Sequence, residues 1–301
     1  MIIMEQPPKF MPDKELSKVG GSLWLYIIMQ LTLSFLFSFV AMPLIMYSLY
    51  YDYSAINACI EMFISFISGI ILLWFMSNSF KRSIKDLKFT FKPKETIDTL
   101  AMMYFLNYAI GIIGALLSKF GLPDTSPDFS LNGSLLYNTF TFVSVVVLAP
   151  IFEELIFRGM ILNHLTKYNK MFAVIVTSLL FGLLHLNITQ AIPAFFMSLV
   201  LCYMYVQTDS ILVTILAHAG NNFLALMSAY SNNILVTVLV LALVIYGLIT
   251  VILKSKEVNA FIKEEKTNEN WYARFFKRIP NLLYLIFTIL WIIISLFINM
   301  F

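Results

Sequence analysis

The sequence predicts an all-α, polytopic membrane bundle of eight or nine spans, on three observations. Of 301 residues, 60% are hydrophobic and only 12% charged, with mean hydropathy +0.84. A water-soluble chain of this length has no core large enough for that much apolar surface, whereas lipid solvates it. The apolar residues fall in runs of bilayer length. The basic residues are confined almost entirely to the short stretches between alternate runs.

Spans need roughly 20 apolar residues at 1.5 Å rise each. They are expected near 22–48, 57–77, 97–118, 135–162, 172–187, 191–207, 211–229, 233–253 and 282–300. The fifth and sixth are short, joined by the tight turn LNITQ, and are expected to tilt or re-enter. The fourth is too long for a straight span. Pro150 lies inside it, and a proline removes a backbone donor and crowds the preceding turn, so a kink is predicted there. The longest polar stretches, 78–96 and 254–281, are basic and suited to a membrane surface. The first apolar run begins only near Leu23 and lacks a small-residue cleavage site, so it reads as a span rather than a signal peptide.

Placing the N-terminus in the cytoplasm puts Lys9, Lys14 and Lys18, the group Lys81 to Lys94, Lys167 with Lys170, and the group Lys254 to Arg278 on the inner side. Of the 20 basic residues only Lys119 and Arg158 fall elsewhere. The last segment, 282–300, either spans or lies flat on the surface. Cys59 and Cys202 have no CxxC spacing or nearby partner and read as small buried residues. With sixteen lysines to four arginines, the composition hints at an AT-rich bacterial genome. The expected location is a bacterial cell membrane. No nucleic-acid partner is expected.

The stretch APIFEELIFRG, 149–159, breaks the apolar pattern with Glu153, Glu154 and Arg158. Each charge costs roughly 2.5–3.5 kcal/mol at a helix centre. Glu154 and Arg158 stand at i and i+4, acid first, the favourable order for a pair. Glu153 points about 100° away and must find its partner in a polar cavity or on another helix. His185 ends FGLLH, with Phe181 one turn earlier on its face. His218 begins HAGNN, with Asn222 one turn later. His164, at a span end, reads as structural. Glu153 and His185 each lie sixteen residues from Asn169, so an antiparallel hairpin levels them. His218 reaches a depth of only about 10 Å from the assumed start of its span, against about 18–20 Å for the other two.

Buried polar residues in membrane helices often serve as packing glue, through hydrogen bonds worth about 0.6–2 kcal/mol. Two adjacent acids make poor glue. Two acids, an arginine, two histidines and an asparagine do make the inventory of a hydrolytic centre. A carboxylate takes a proton from water, imidazoles ligate a metal or orient water, and an amide donates to a developing oxyanion.

These residues, as EExxxR (Glu153, Glu154, Arg158), FxxxH (Phe181, His185) and HxxxN (His218, Asn222) in order on successive spans, resemble the CPBP family of intramembrane proteases. That family includes type II CAAX prenyl endopeptidases and bacterial relatives associated with bacteriocin self-immunity. The resemblance covers roughly 135–230. It implies N-terminal membrane helices over 1–134, a CPBP-like catalytic membrane domain over 135–230, and C-terminal membrane helices with a basic cytoplasmic loop over 231–301. It further implies hydrolysis of a peptide bond in a membrane-associated peptide or protein, within the lipid bilayer. Glu153 would activate water, and Glu154 with Arg158 would hold the helices in place. His185 and His218 would bind a divalent metal such as zinc or orient water directly, and Asn222 would help hold the oxyanion. There is no HExxH, no GxGD aspartyl motif and no GxSx serine motif in a span, which sets aside other intramembrane protease designs. The alternatives are a non-catalytic membrane scaffold or self-immunity protein, and a transporter with a proton-coupled Glu/His relay.

Overall fold

A computed structural model describes residues 13–47, 53–119, 131, 133–230 and 234–300. Lys9, Ser48 and Asn233, which belong to segments read from the sequence, lie outside the described residues. Among the described residues the chain is helical with no strand. The helices are α1 (Asp13–Tyr47), α2 (Tyr53–Phe80), α3 (Pro93–Ser118), α4 (Leu135–Phe142), α5 (Ala149–Glu154), α6 (Asn163–Leu165), α7 (Lys170–Leu184), α8 (Ile188–Thr208), α9 (Ile211–Tyr230), α10 (Ile234–Glu264), α11 (Trp271–Phe276) and α12 (Ile279–Met300). Eight helical stretches among the described residues are long and apolar enough to cross a membrane. The protein is an integral membrane protein.

The fifth apolar segment is short as expected: it becomes α7, fifteen residues long. Two expectations change. The sixth, also read as short, becomes α8, twenty-one residues and long enough to span. The basic stretch 254–281 is largely helical: α10 continues eleven residues past its apolar part to Glu264, and α11 comes next. α11 is held because Phe275 is fully buried and Trp271 and Tyr272 pack their rings on Phe172.

α7 and α8 pack as a close antiparallel hairpin at the centre, with α3 lying on α8 and α9, and α10 outside α3. α1 pairs with α2 and α12. One core runs through the bundle from Leu16 and Leu72 to Phe157, Leu201 and Tyr284. The hairpin depends on Gly182, where a Cβ would stand 2.7 Å from the Ala191 carbonyl oxygen. The outward faces of α1, α2, α10 and α12 carry exposed Phe, Leu, Ile and Trp, the surface lipid covers.

The fourth span, Leu135–Leu165, is one continuous helical rod in which α4, α5 and α6 alternate with π-helical turns at Val143–Leu148 and Leu155–Leu162. The predicted irregularity at Pro150 therefore takes the form of a π turn just before it. The Ala149 N–H reaches back five residues to the Ser144 carbonyl. Such wide turns accommodate one extra residue and re-aim the side chains beyond them.

Candidate active site

α5 delivers two adjacent glutamates into different surroundings. The Glu154 side chain is fully buried, and its Oε1 accepts from Arg158 Nη1 at 2.8 Å and from His218 Nδ1 at 2.8 Å. Arg158, also fully buried, donates through Nη2 to Ser198 Oγ at 2.7 Å and lies 4.8 Å above the centre of the Phe181 ring. The expected Glu154–Arg158 pair is thus present, and it is larger than the sequence suggested. It ties α5 and the π turn after it to α7, α8 and α9. Buried ions are tolerated when paired and hydrogen-bonded, and here a carboxylate, a guanidinium, an imidazole and a hydroxyl pair with one another, while Glu154 Oε2 and Arg158 Nε have no hydrogen-bond partner among the described residues.

Glu153 is different. Its side chain keeps 28% of its exposure and lines a cavity of about 560 Å³. His185, His218, Asn222, Phe181 and Gln190 line the same cavity. Glu153 Oε2 stands 3.8 Å from His218 Nε2, beyond direct hydrogen-bond distance but within reach of a water seated beside both atoms.

The depth mismatch expected for His218 does not occur. The estimate assumed that α9 starts at the membrane surface. Instead its first residues are covered by the chain between α2 and α3: Ser210 and Ile211 are fully buried. The Ser210 hydroxyl donates to Thr90 O at 2.6 Å, and the Ile211 N–H to Lys88 O at 2.9 Å. Starting deeper, α9 carries His218 down to Glu154.

His185 caps the C-terminus of α7 rather than sitting within a span. Leu186 comes next with positive φ (57°), and Asn187 then opens α8 by accepting from the Gln190 N–H at 2.8 Å. The Asn187 amide also donates to the His185 carbonyl at 3.0 Å. This capped turn, set by a left-handed residue and an Asn N-cap, points the segment carrying His185 at the cavity. The His185 ring uses Nδ1 on the Phe181 carbonyl at 3.1 Å. Phe181 therefore has three jobs: a carbonyl for His185, an edge-on ring contact at 5.3 Å with that imidazole, and a face for Arg158.

Asn222 Nδ2 donates to the Val145 carbonyl at 2.9 Å. Val145 lies in the π turn, five residues before Pro150, which has no N–H to offer a carbonyl at that spacing. An amide from α9 serves that carbonyl, as irregular backbone at membrane depth requires. Asn221 Nδ2 donates to Asn222 Oδ1 at 3.2 Å, and of the two hydrogens on Asn222 Nδ2 one serves the Val145 carbonyl.

Sequence reasoning missed Ser198, Asn187 and Asn221. Asn187 was findable, since an Asn at the start of ITQA is an N-cap signal. Ser198 was not, because only packing shows which hydroxyl of α8 faces Arg158. His164 is structural, as read: it is buried, stacks on Phe80 at 4.4 Å, and its Nε2 lies 3.2 Å from Glu15 O. The two cysteines are unpaired; Cys202 is buried and Cys59 half-buried.

Both catalytic-candidate histidines engage Nδ1 and leave Nε2, the tautomer a metal ligand adopts. A catalytic zinc takes three protein ligands. Among the described residues no three His, Cys, Asp or Glu side chains converge into such a cage. The arrangement does not fit a three-ligand metal as it stands.

Residues 135–224 match the family model described as type II CAAX prenyl endopeptidase Rce1-like. The chain is also similar to a Bacillus subtilis (strain 168) protein named "Putative membrane peptidase YdiL". The two are 34% identical over 83 residues, 27% of this chain and 34% of the relative. The chain thus spans about a third of the length of the curated relative it matches. No solved structure matches it.

Proposed function

We propose, from the match of residues 135–224 to the type II CAAX prenyl endopeptidase Rce1-like family model, that this protein hydrolyses a peptide bond of a membrane-associated peptide or protein. The observation that carries the reading is the split between the two glutamates. Glu154 is consumed by Arg158 and His218, while Glu153 faces a cavity it shares with His185 and His218.

In this reading a water beside Glu153 and His218 Nε2 gives its proton to the Glu153 carboxylate. Its oxygen adds to the scissile carbonyl carbon. His185, its ring fixed through Nδ1, offers Nε2 to the water's other hydrogen. The free amide hydrogen of Asn222 meets the carbonyl oxygen as it turns negative. Glu153 then passes the proton to the leaving nitrogen as the C–N bond breaks. Glu154, Arg158 and Ser198 touch no reacting atom; they hold His218 in place. A metal-assisted version, with His185 and His218 as two of the ligands, has the free Nε2 atoms in its favour and needs a third ligand to move in.

The cavity suits an extended chain segment with apolar side chains, since Ala149, Pro193, Ala194, Met197 and Leu226 make much of its wall. We also place the protein in a bacterial cell membrane with the N-terminus inside, on the segregation of its basic residues. The test of the reading is cleavage of a quenched farnesylated CAAX peptide and of a panel of apolar membrane peptides. The protein is held in nanodiscs and products are read by mass spectrometry. Cleavage that vanishes in Glu153→Gln supports it. A Glu153→Gln protein as active as the wild type removes Glu153 as the base, and a wild type that cleaves none of these peptides ends the reading and returns the scaffold.

A further inference from the structure

Each turnover of a hydrolase consumes one water: hydroxyl goes to the carbonyl carbon and hydrogen to the leaving nitrogen. In a site surrounded by lipid and lined mostly by apolar side chains, that water needs a place to wait. A second, smaller cavity of about 70 Å³ lies on the other side of Glu153, between α1, α2 and the fourth span. Ala149 and Glu153, one helical turn apart, line both cavities, so the Glu153 side chain is part of the partition between them.

The small chamber is not uniformly apolar. Tyr26 of α1, Ser65 of α2 and Glu153, which carry a phenol, a hydroxyl and a carboxylate, are among the residues that line it. A buried water needs two to four polar partners and about 10–15 Å³ of accessible space, so this chamber has partners for one water and space for more. Tyr26 is also oriented. Gln30 Nε2 donates to the Tyr26 hydroxyl oxygen at 3.0 Å and to Ser68 Oγ at 2.8 Å, and Ser68 donates in turn to the Ile64 carbonyl at 2.7 Å. With its oxygen already accepting from Gln30, the Tyr26 hydroxyl is set to donate elsewhere. This polar string joins α1 to α2 outside the segment matched by the family model.

We propose that the chamber bounded by Tyr26, Ser65 and Glu153 is a water-holding site that supplies the carboxylate of Glu153 from behind. Tyr26 and Ser65 are then positioning residues for the water, and Gln30 sets the hydroxyl of Tyr26. The inference rests on the hydrolytic reading for its purpose but not for its existence: the chamber either holds water or it does not.

Two measurements decide it. In the first, the full-length protein in nanodiscs is exposed to a millisecond pulse of radiolytic hydroxyl radicals, and tyrosine oxidation is read by mass spectrometry. Water in the chamber makes Tyr26 oxidise several-fold faster than Tyr284, which is fully buried. Ser65→Leu, which fills the chamber, slows Tyr26 to the Tyr284 rate. Oxidation of Tyr26 no faster than Tyr284 in the wild type overturns the proposal. So does a rate that Ser65→Leu leaves unchanged. In the second, on a peptide that the wild type cleaves, Tyr26→Phe and Ser65→Leu lower kcat by roughly tenfold, less than loss of a general base, and leave KM within about twofold. Ser65→Thr, which keeps the hydroxyl, restores kcat. A merely structural role moves KM or protein yield instead and is not rescued by threonine.

The two failures are distinguishable. A fully active Glu153→Gln removes the Glu153-based hydrolytic reading while the oxidation result stands by itself. An inactive Glu153→Gln beside wild-type kcat in Tyr26→Phe and Ser65→Leu removes the chamber alone.

Discussion

Glu153 and Glu154 are neighbours in sequence and opposites in surroundings. One carboxylate is sealed at 0% exposure with an arginine and a histidine on a single oxygen; the other keeps 28% and lies against open space. The same side chain, rotated by about 100° on one helix, becomes a sealed anchor or, in the proposed function, a reagent. In that proposal the anchor is what makes the reagent usable. Without Arg158 and Ser198 to fix Glu154, His218 has no reason to stand 3.8 Å from Glu153.

That contrast is sharpest in activity against stability. Glu153→Gln is expected to cost a factor of about 10²–10⁴ in kcat, equivalent to about 3–5 kcal/mol, with an unchanged unfolding temperature. Thermal unfolding measured beside peptide cleavage checks both halves. A drop in stability equal to that of an anchor mutant would erase the distinction between the two glutamates.

Arg158→Ala leaves the Glu154 charge buried with its main partner gone. The expected destabilisation is about 3–5 kcal/mol, visible as reduced accumulation in the membrane and an unfolding temperature lowered by several degrees. The double mutant Arg158→Met/Glu154→Gln is expected to recover much of that stability without recovering activity, because His218 loses its ionised anchor. Ser198→Ala is a gentler cut in the same network, expected to cost about 1.5–3 kcal/mol as the loss of a hydrogen bond to a charged group. It should lower kcat while KM stays put.

Asn187→Ala removes the N-cap of α8 and the amide that holds the His185 carbonyl. About 1 kcal/mol of stability is expected to go, together with a several-fold drop in kcat as the turn loosens. The smallest expected effect is that of a chelator. Prolonged dialysis against EDTA should leave cleavage within about twofold. A loss restored by added zinc would show that a third ligand does move in beside His185 and His218, and the metal-assisted version would take over.

Much of this is legible in the sequence alone. Charge cost singles out Glu153, Glu154 and Arg158, because hydrocarbon does not tolerate unexplained ions. The i, i+4 spacing points to the Glu154–Arg158 pair. Even the partner sought for Glu153 on another helix is there, in the cavity with His185 and His218. The hidden part depends on packing between distant segments. His218 reads as too shallow because nothing in α9 itself reports that residues 87–92 fold over its start. Tyr26, Ser65 and Ser198 carry ordinary small or aromatic side chains on apolar helices, with no spacing that marks which face looks inward. The split of the fourth span into α and π turns is signalled only by a proline in an overlong apolar run.

Those π turns leave the fourth span out of phase with a plain α-helix. The Ala149 N–H bonds five residues back, so the stretch before Pro150 holds a residue that a regular helix of the same rise would not need. Inserting one further residue at 143–148, beyond the one the wide turn already absorbs, would turn every later residue of the rod by about 100°. Glu153 would swing off the cavity toward the place now held by its neighbour, and Asn222 would lose the carbonyl it serves. The rod would still be apolar and long enough to cross the bilayer, so such a protein should insert normally and yet be inert. The length of one helical element, counted to the residue, is here a setting of the machine.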